Sequence, residues 1–405
     1  MYANHVVLLS WTASGLQGLL DSMHAFCLGL GLIIGDSKTE VVIFNGSSCD
    51  TWHVGQHVLP RSASFKYLGI VFHESGSMTE ALARLLQNGK GAAARLAAKH
   101  KALTCDKSFP MMRRLFDAVV RPTVSYGCEV WAPACSPALV PQLKDMQNIQ
   151  LSFFRNLCHL RKSVTPHIIF REFAERPWLD SWWSMVLGFM RRLSLLPAGS
   201  LHLDILQDNI ADARQPLVCA NWAAGVDRQF RDLGMGSPFI SSGIGALDSL
   251  GFMGRLAKHR EQVWGNLHVS PRTAPSKGAK LCTYHHWFGR PSRLRFEPYY
   301  DLPMGISKLR TLVQFRLGSH ALPIEQGRFV RPALPRHLRR CTVCDTQAVG
   351  DEFHAVFDCP HFSEVRAQFP GLFQDAAGCM RMFMWHKDQK SVCHCLTALL
   401  QKAQT

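Results

Sequence analysis

A chain of 405 residues, 47% apolar and 10% aromatic, is long enough for two or three domains with real cores, which excludes a disordered tail. Its net charge of +15, from 45 Lys and Arg against 30 acidic residues, excludes an acidic scaffold. It suits a polyphosphate partner bound with strong salt dependence, or a soluble basic protein with solvated arginines.

In chain order, Val6–Trp11 reads as an apolar strand. Leu16, Leu19, Leu20, Met23 and Phe26 then recur at three- and four-residue spacing, which predicts an amphipathic helix. Thr39–Phe44 and Phe65–Phe72 are β-branched and aromatic runs bounded by Gly, Ser and Asn, and each predicts a strand. The first 75 residues are therefore expected to form a βαββ piece. No neighbouring strands flank Val6–Trp11, so an apolar edge is left that a partner chain could pair. Residues 1–60 hold one basic side chain, Lys38, against Asp21, Asp36, Glu40 and Asp50, so the whole basic surplus falls beyond them.

From Met78 the period becomes helical. Leu82, Leu85, Leu86, Leu96 and Leu103 mark one helix, and Met111, Met112, Leu115, Phe116, Val119 and Val120 the next. Leu139, Leu143, Met146, Ile149, Phe153 and Leu157 mark a third; Leu179, Trp182, Trp183, Val186, Leu187, Met190 and Leu193 a fourth. Aromatics at this spacing are expected to be core. Gly234–Gly251 and Pro271–Gly278 read as loops or linkers. Between residues 292 and 316, Arg293, Arg295, Lys308, Arg310 and Arg316 alternate with Tyr299, Tyr300 and Phe315. That pattern fits single-strand binding, with charge on phosphates and rings on bases, and equally a surface helix with snorkelling arginines.

Near the C-terminus, Cys341 and Cys344 lie on one tight turn, with His354 and Cys359 following. Three thiolates and one imidazole make the closed tetrahedral set of a structural zinc site, with His361 an alternative to His354. Asp351 and Glu352 suit the first turn of a short helix bearing His354. The preceding Arg336, Arg339 and Arg340 are expected to lower the thiol pKa values and to offer nucleic-acid contacts. Cys393 and Cys395 read as buried helix residues. No Gly-x-Ser-x-Gly elbow and no phosphate-binding Gly-x-x-x-x-Gly-Lys-[Ser/Thr] loop is present, which argues against acyl transfer and ATP hydrolysis. No run approaches the roughly 20 apolar residues of a membrane span, and no basic leader with a cleavage site is visible. An intracellular protein, nuclear or cytoplasmic, is expected, with its cysteines reduced.

Several segments resemble, in the same order, reverse transcriptases of the non-LTR (LINE-type) retrotransposons. Met1 to Ser10 resembles that family's catalytic strand, and Gly18–Cys27 with Gly31–Phe44 resembles the helix and lysine-bearing turn that follow. Phe65–Phe72 resembles the primer-grip strand, Leu115–Trp131 the thumb helix, and Cys341–Cys359 the terminal zinc knuckle. Gly35 departs mildly from the asparagine usual there. Asn4 and His5 stand where the family carries two aspartates, and a two-metal phosphoryl-transfer site needs carboxylates to hold hard cations. The resemblance thus implies a relative of RNA-directed DNA polymerases with no intact catalytic site, and Mg2+ only if a complete palm is supplied. It implies a vestigial general acid at Lys38, a primer-grip-like stretch at Phe65, Lys66, Tyr67, Leu68 and Gly69, and RNA and DNA (template, primer) as partners.

The implied fold is α+β. A partial palm (1–75), with a short antiparallel sheet plus helix, precedes a helical thumb (76–165), a helical connector (166–330), a CCHC zinc knuckle (331–365) and a C-terminal helical tail (366–405). Three functions are open. The chain is a truncated, inactive remnant that still binds RNA or single-stranded DNA; the C-terminal portion of an active reverse transcriptase whose N-terminal half is missing from the gene model; or a domesticated zinc-knuckle interaction protein.

Overall fold

A computed structural model describes residues 6–44, 46, 49–102, 108–135, 139–214, 221–240, 243–245, 247–266, 284, 287 and 297–404. Asn4, His5, Leu103, Arg293, Arg295 and the Pro271–Gly278 segment lie outside them. The protein is mostly helical, with small two-stranded antiparallel sheets and no larger sheet among the described residues. No described helix is long and apolar enough to cross a membrane.

The expected helix near the N-terminus is α1 (Ala13–Gly29), started by Thr12, whose hydroxyl accepts the Gly15 N–H at 3.1 Å. The preceding segment is not the expected strand. Residues 6–10 are irregular, with Val6, Leu9 and Trp11 exposed. A strand needs a partner for its backbone donors and acceptors, and no described segment supplies one. Instead α1 packs on a hairpin of β1 (His53–Val54) and β2 (His57–Val58), clamped where the Gln17 amide exchanges hydrogen bonds with the His53 backbone, both at 3.0 Å. Leu20, Val41, Trp52, Val54 and Leu59 form a small core there. Thr39–Phe44 also fails as a strand, because Val41 alone pairs, with Arg61.

Phe65–Phe72 is two strands rather than one. β3 (Ser64–Tyr67) and β4 (Ile70–His73) pair antiparallel, with Phe65 stacked on Phe72 directly opposite. The chain reverses at Leu68 and Gly69, both at positive φ (46° and 91°), as a two-residue hairpin turn demands. Tyr126 holds this turn, its hydroxyl donating to the Leu68 carbonyl at 2.6 Å.

The main body is built on α2 (Thr79–Ala102), α3 (Phe109–Ser125) and α5 (Val140–Cys158), packed through Leu82, Met112, Phe116, Val120, Met146 and Phe154. The expected single helix across Leu115–Trp131 is broken at Tyr126 and Gly127, and α4 (Cys128–Ala134) starts anew. Gly127 takes φ +65°, and any Cβ there would collide with Ile70 Cδ1. The broken chain is held by the Trp131 indole N–H, which donates to the Tyr126 carbonyl at 2.8 Å.

After α6 (Pro166–Glu172), α7 (Trp178–Ser194) serves two cores. Trp178 and Trp182 enter the main one. Trp183, Val186, Leu187, Met190 and Leu193 face a second, shared with α8 (Leu201–Ala213), α9 (Trp222–Asp232) and α10 (Ser249–Asn266). The expected linker Gly234–Gly251 holds a hairpin, β5 (Phe239–Ile240) and β6 (Gly243–Ile244), and the start of α10. Phe239 and Ile244 give it an apolar foothold on the second core.

The helix Ile306–Arg316 returns the chain to the main body. It packs between α5 and the last helix, Gln389–Lys402, so the C-terminal segments share the main core.

Candidate metal centre

Cys341, Cys344, His354 and Cys359 come together, all four ligand atoms within 4.8 Å of one another. Local backbone bonds place them. Cys341 N–H donates to the Ala348 carbonyl at 2.8 Å and Gly350 N–H to the Arg339 carbonyl at 2.9 Å, closing a tight loop with Cys341 and Cys344 on it. Asp351 caps the next turn, its Oδ1 accepting the His354 N–H at 3.0 Å. His354–Asp358 winds as a wide π-turn, and Cys359 N–H bonds the His354 carbonyl at 2.8 Å.

The Cys341 and Cys359 sulfurs are 3.9 Å apart, and Cys344 Sγ lies 3.3 Å from His354 Nε2. Tetrahedral zinc with bonds of about 2.3 Å to sulfur and 2.0 Å to nitrogen requires roughly 3.8 Å and 3.5 Å for these separations. The cluster can hold a metal ion such as zinc.

Burial pushes the Cys341 thiol up, and the Cys359 thiol up to about 12. Burial acts on Cys344 in the same sense, but the side chain and backbone of Thr346, with His354 and Cys341, hydrogen-bond its sulfur and bring it down to about 6. The three arginines expected to depress the thiols are otherwise engaged. Arg336 pairs with Asp351 at 2.7 Å, and Arg340 bonds the Gln347 amide. Arg339 is buried, with its guanidinium on the carbonyls of Leu334 and Ile324. Behind the cluster, Glu352 is buried against His320 at 3.2 Å, which fixes the turn bearing His354 to the loop after Arg316. His361 is directed elsewhere, its Nε2 donating to the Lys402 carbonyl at 3.3 Å. Cys393 and Cys395 are buried in the last helix, outside the cluster.

Of the other residues singled out in the sequence, Lys38 is exposed at the end of a 3-10 turn. Phe65, Lys66 and Tyr67 lie on β3, with Leu68 and Gly69 forming the turn beside Tyr126. Lys308 is exposed, while the half-buried Arg310 donates to the Leu157 carbonyl at the end of α5. The aromatic side chains of the basic stretch are not stacking platforms: Tyr299, Tyr300 and Phe315 are all buried.

Sequence reasoning missed what those tyrosines serve. Glu172, with no solvent exposure, accepts bonds from the Tyr284 hydroxyl at 2.5 Å, from the Tyr299 hydroxyl, and from Arg316 Nε and Nη2 at 2.5 and 3.2 Å. Arg316 also reaches Glu297 at 3.3 Å. A buried carboxylate needs such a set of donors and an opposite charge. The available signal is Glu172, beside Arg171, between the apolar Ile168, Ile169 and Phe170 on one side and Phe173 on the other. The chain matches no protein-family model, no curated protein and no solved structure.

Proposed function

We propose that this chain binds single-stranded RNA or DNA on a basic helical scaffold, that a structural zinc ion fixes its C-terminal part, and that it makes no phosphodiester bond of its own. The observation that carries the reading is the Cys341, Cys344, His354 and Cys359 cluster in a protein of net charge +15. Three sulfurs and a nitrogen fill a tetrahedral ion, leaving no position for water, so the metal's role is to pin two backbone turns together. The basic surplus suits a polyphosphate, and the ordered resemblance to LINE-type reverse transcriptases supports nucleic acid as that partner. Asn4 and His5, standing where that family has aspartates, support the loss of polymerisation.

Elemental analysis of protein purified without chelator should find about one zinc per chain, lost in Cys344→Ser. Wild-type protein should bind a labelled oligouridylate with an affinity that falls steeply with salt. No binding at low salt would overturn the nucleic-acid reading, and template-directed extension of a primer with Mg2+ or Mn2+ would overturn the inactive one.

A second reading, a partner chain on the N-terminal segment, draws on the exposure of Leu9, Trp11, Leu30 and Ile33. Self-association or co-purification with a partner that is lost in Trp11→Ser supports it. A monodisperse monomer counts against it.

A further inference from the structure

The C-terminal segment, where the sequence suggests no nucleic-acid contact, carries an open depression of about 580 Å3 lined by Asp375, Arg381, Met382, Trp385, His386 and Lys387. It sits where the helix Met380–Met384 meets the start of Gln389–Lys402. Phe383 and Met384 anchor that short helix in the main core, whereas Met382 and Trp385 remain 54% and 40% exposed. Arg316 lies over the Trp385 ring, its guanidinium carbon 5.6 Å from the centroid, and is itself buried and paired with Glu172. A cation fixed on the inner side of the indole holds the ring in place and leaves its outer side to a ligand.

The charges around the ring favour an anion. Arg381 and Lys387 are exposed at its rim. The acid in the lining, Asp375, is bonded to His386 Nε2 at 2.9 Å, and His386 Nδ1 accepts the Asp388 N–H at 3.0 Å. That backbone bond keeps the proton on Nε2, which donates to one oxygen of the Asp375 carboxylate. Against that one acid stand the two cations Arg381 and Lys387, so the lining carries a net positive charge.

The geometry points to a site for one nucleotide of a single strand. Its base stacks on the outer face of Trp385 beside Met382, and Arg381 and Lys387 hold the flanking phosphates. Stacking on a fixed ring with charge tracking the backbone is how single strands are bound without sequence preference. The site rests on the single-strand-binding reading and gives it a contact outside the metal centre.

The test uses the full chain with fluorescein-labelled oligouridylate and oligothymidylate of about 16 nucleotides, read by anisotropy between roughly 50 and 200 mM salt. Trp385→Ala should weaken binding about 5- to 150-fold. Arg381→Gln with Lys387→Gln should reduce the slope of log affinity against log salt by about 1.4. Because truncating Trp385 uncovers Arg316, Met382→Glu serves as a second variant. It sets a negative charge in the depression without entering the core, and should weaken binding at least about fivefold with an unchanged melting temperature.

Equal effects on both strands fit contacts to base and phosphate. Wild-type affinity in both Trp385→Ala and Met382→Glu overturns the site while single-strand binding stands. A defect confined to the Arg381 and Lys387 variant leaves only phosphate tracking and overturns the stacked base. Competition by polyglutamate as effective as by unlabelled oligonucleotide shows an acidic-protein site and overturns the assignment. Failure of the wild type to bind either strand overturns both this site and the reading it rests on.

Discussion

Arg316→Met removes the guanidinium that faces Glu172, a carboxylate without solvent exposure. The hydroxyls of Tyr284 and Tyr299 still donate to it, but they bring no charge, and water cannot reach the site. Breaking a buried pair from one side costs about 3–5 kcal/mol. Lost cation–π contacts to Tyr299 and Trp385 lie within the upper part of that range. The double variant Glu172→Leu with Arg316→Met removes both charges, and apolar replacement of such a pair is often near neutral. It still strands two tyrosine hydroxyls, at about 1–3 kcal/mol each, and takes Arg316 from Glu297, so it should recover only part of the loss. Urea unfolding of the full chain, followed by tryptophan fluorescence at fixed zinc, reads each value from midpoint and slope. A loss under about 1 kcal/mol in Arg316→Met at unchanged slope would refute a dry, paired Glu172.

The same carboxylate gives a pH test. Burial raises the Glu172 pKa, but the Arg316 charge and the bonds from Arg316, Tyr284 and Tyr299 outweigh it and hold the group below the ordinary range. A depressed carboxylate stabilises the fold fully above its unfolded pKa of about 4.3 and loses that contribution as pH falls through the folded value. The advantage of wild type over Glu172→Gln should therefore be constant from about pH 7 to 5 and shrink below about pH 4. A constant difference down to pH 3 would mean that the Glu172 pKa is the same folded and unfolded, and one that shrinks as pH rises above about 4 would mean that the fold holds Glu172 neutral. Gly225→Ala should cost about 1–3 kcal/mol or more, because its methyl would strike the Pro133 carbonyl where α9 crosses α4. An unchanged melting temperature would show that the two helices do not touch there. Chelator treatment should lower the melting temperature of wild type and leave Cys344→Ser unaffected, since only the wild type has metal stabilisation to lose; equal shifts in both proteins would place the metal elsewhere. Tyr126→Phe, which deletes the bond to the Leu68 carbonyl, should destabilise by about 1 kcal/mol, measured by urea midpoint.

Local pattern alone determined much of the helical frame. The apolar period marks α1, α2, α3, α5 and α7, and the stripe of Trp182 and Trp183 reads correctly as core. This follows because a helix buries one face, and 3.6 residues per turn writes that face into the sequence. The four ligands of the metal cluster were likewise legible from chemistry and spacing, since two loops bearing Cys341, Cys344, His354 and Cys359 need travel only a short way to meet. Choosing His354 over His361 took the fold, which sends the second ring to Lys402.

Elsewhere the answer depended on what lay across from each segment. Val6–Trp11 has the composition of a strand and stays irregular, because pairing belongs to two segments and no described one faces it. Phe65–Phe72 hides a turn, because Leu68 accepts a left-handed backbone only once Tyr126 and the Phe65–Phe72 pair hold it. Arg316, Tyr299 and Tyr300, part of the arginine-and-tyrosine pattern that suits a nucleic-acid surface, lie in the core, because Glu172, 144 residues before Arg316, needs donors there. Trp385, in contrast, is carried out to the surface by its buried neighbours Phe383 and Met384. Periodicity is a property of one segment, whereas charge burial and strand pairing are properties of contacts between distant ones, so only the tertiary structure could decide them.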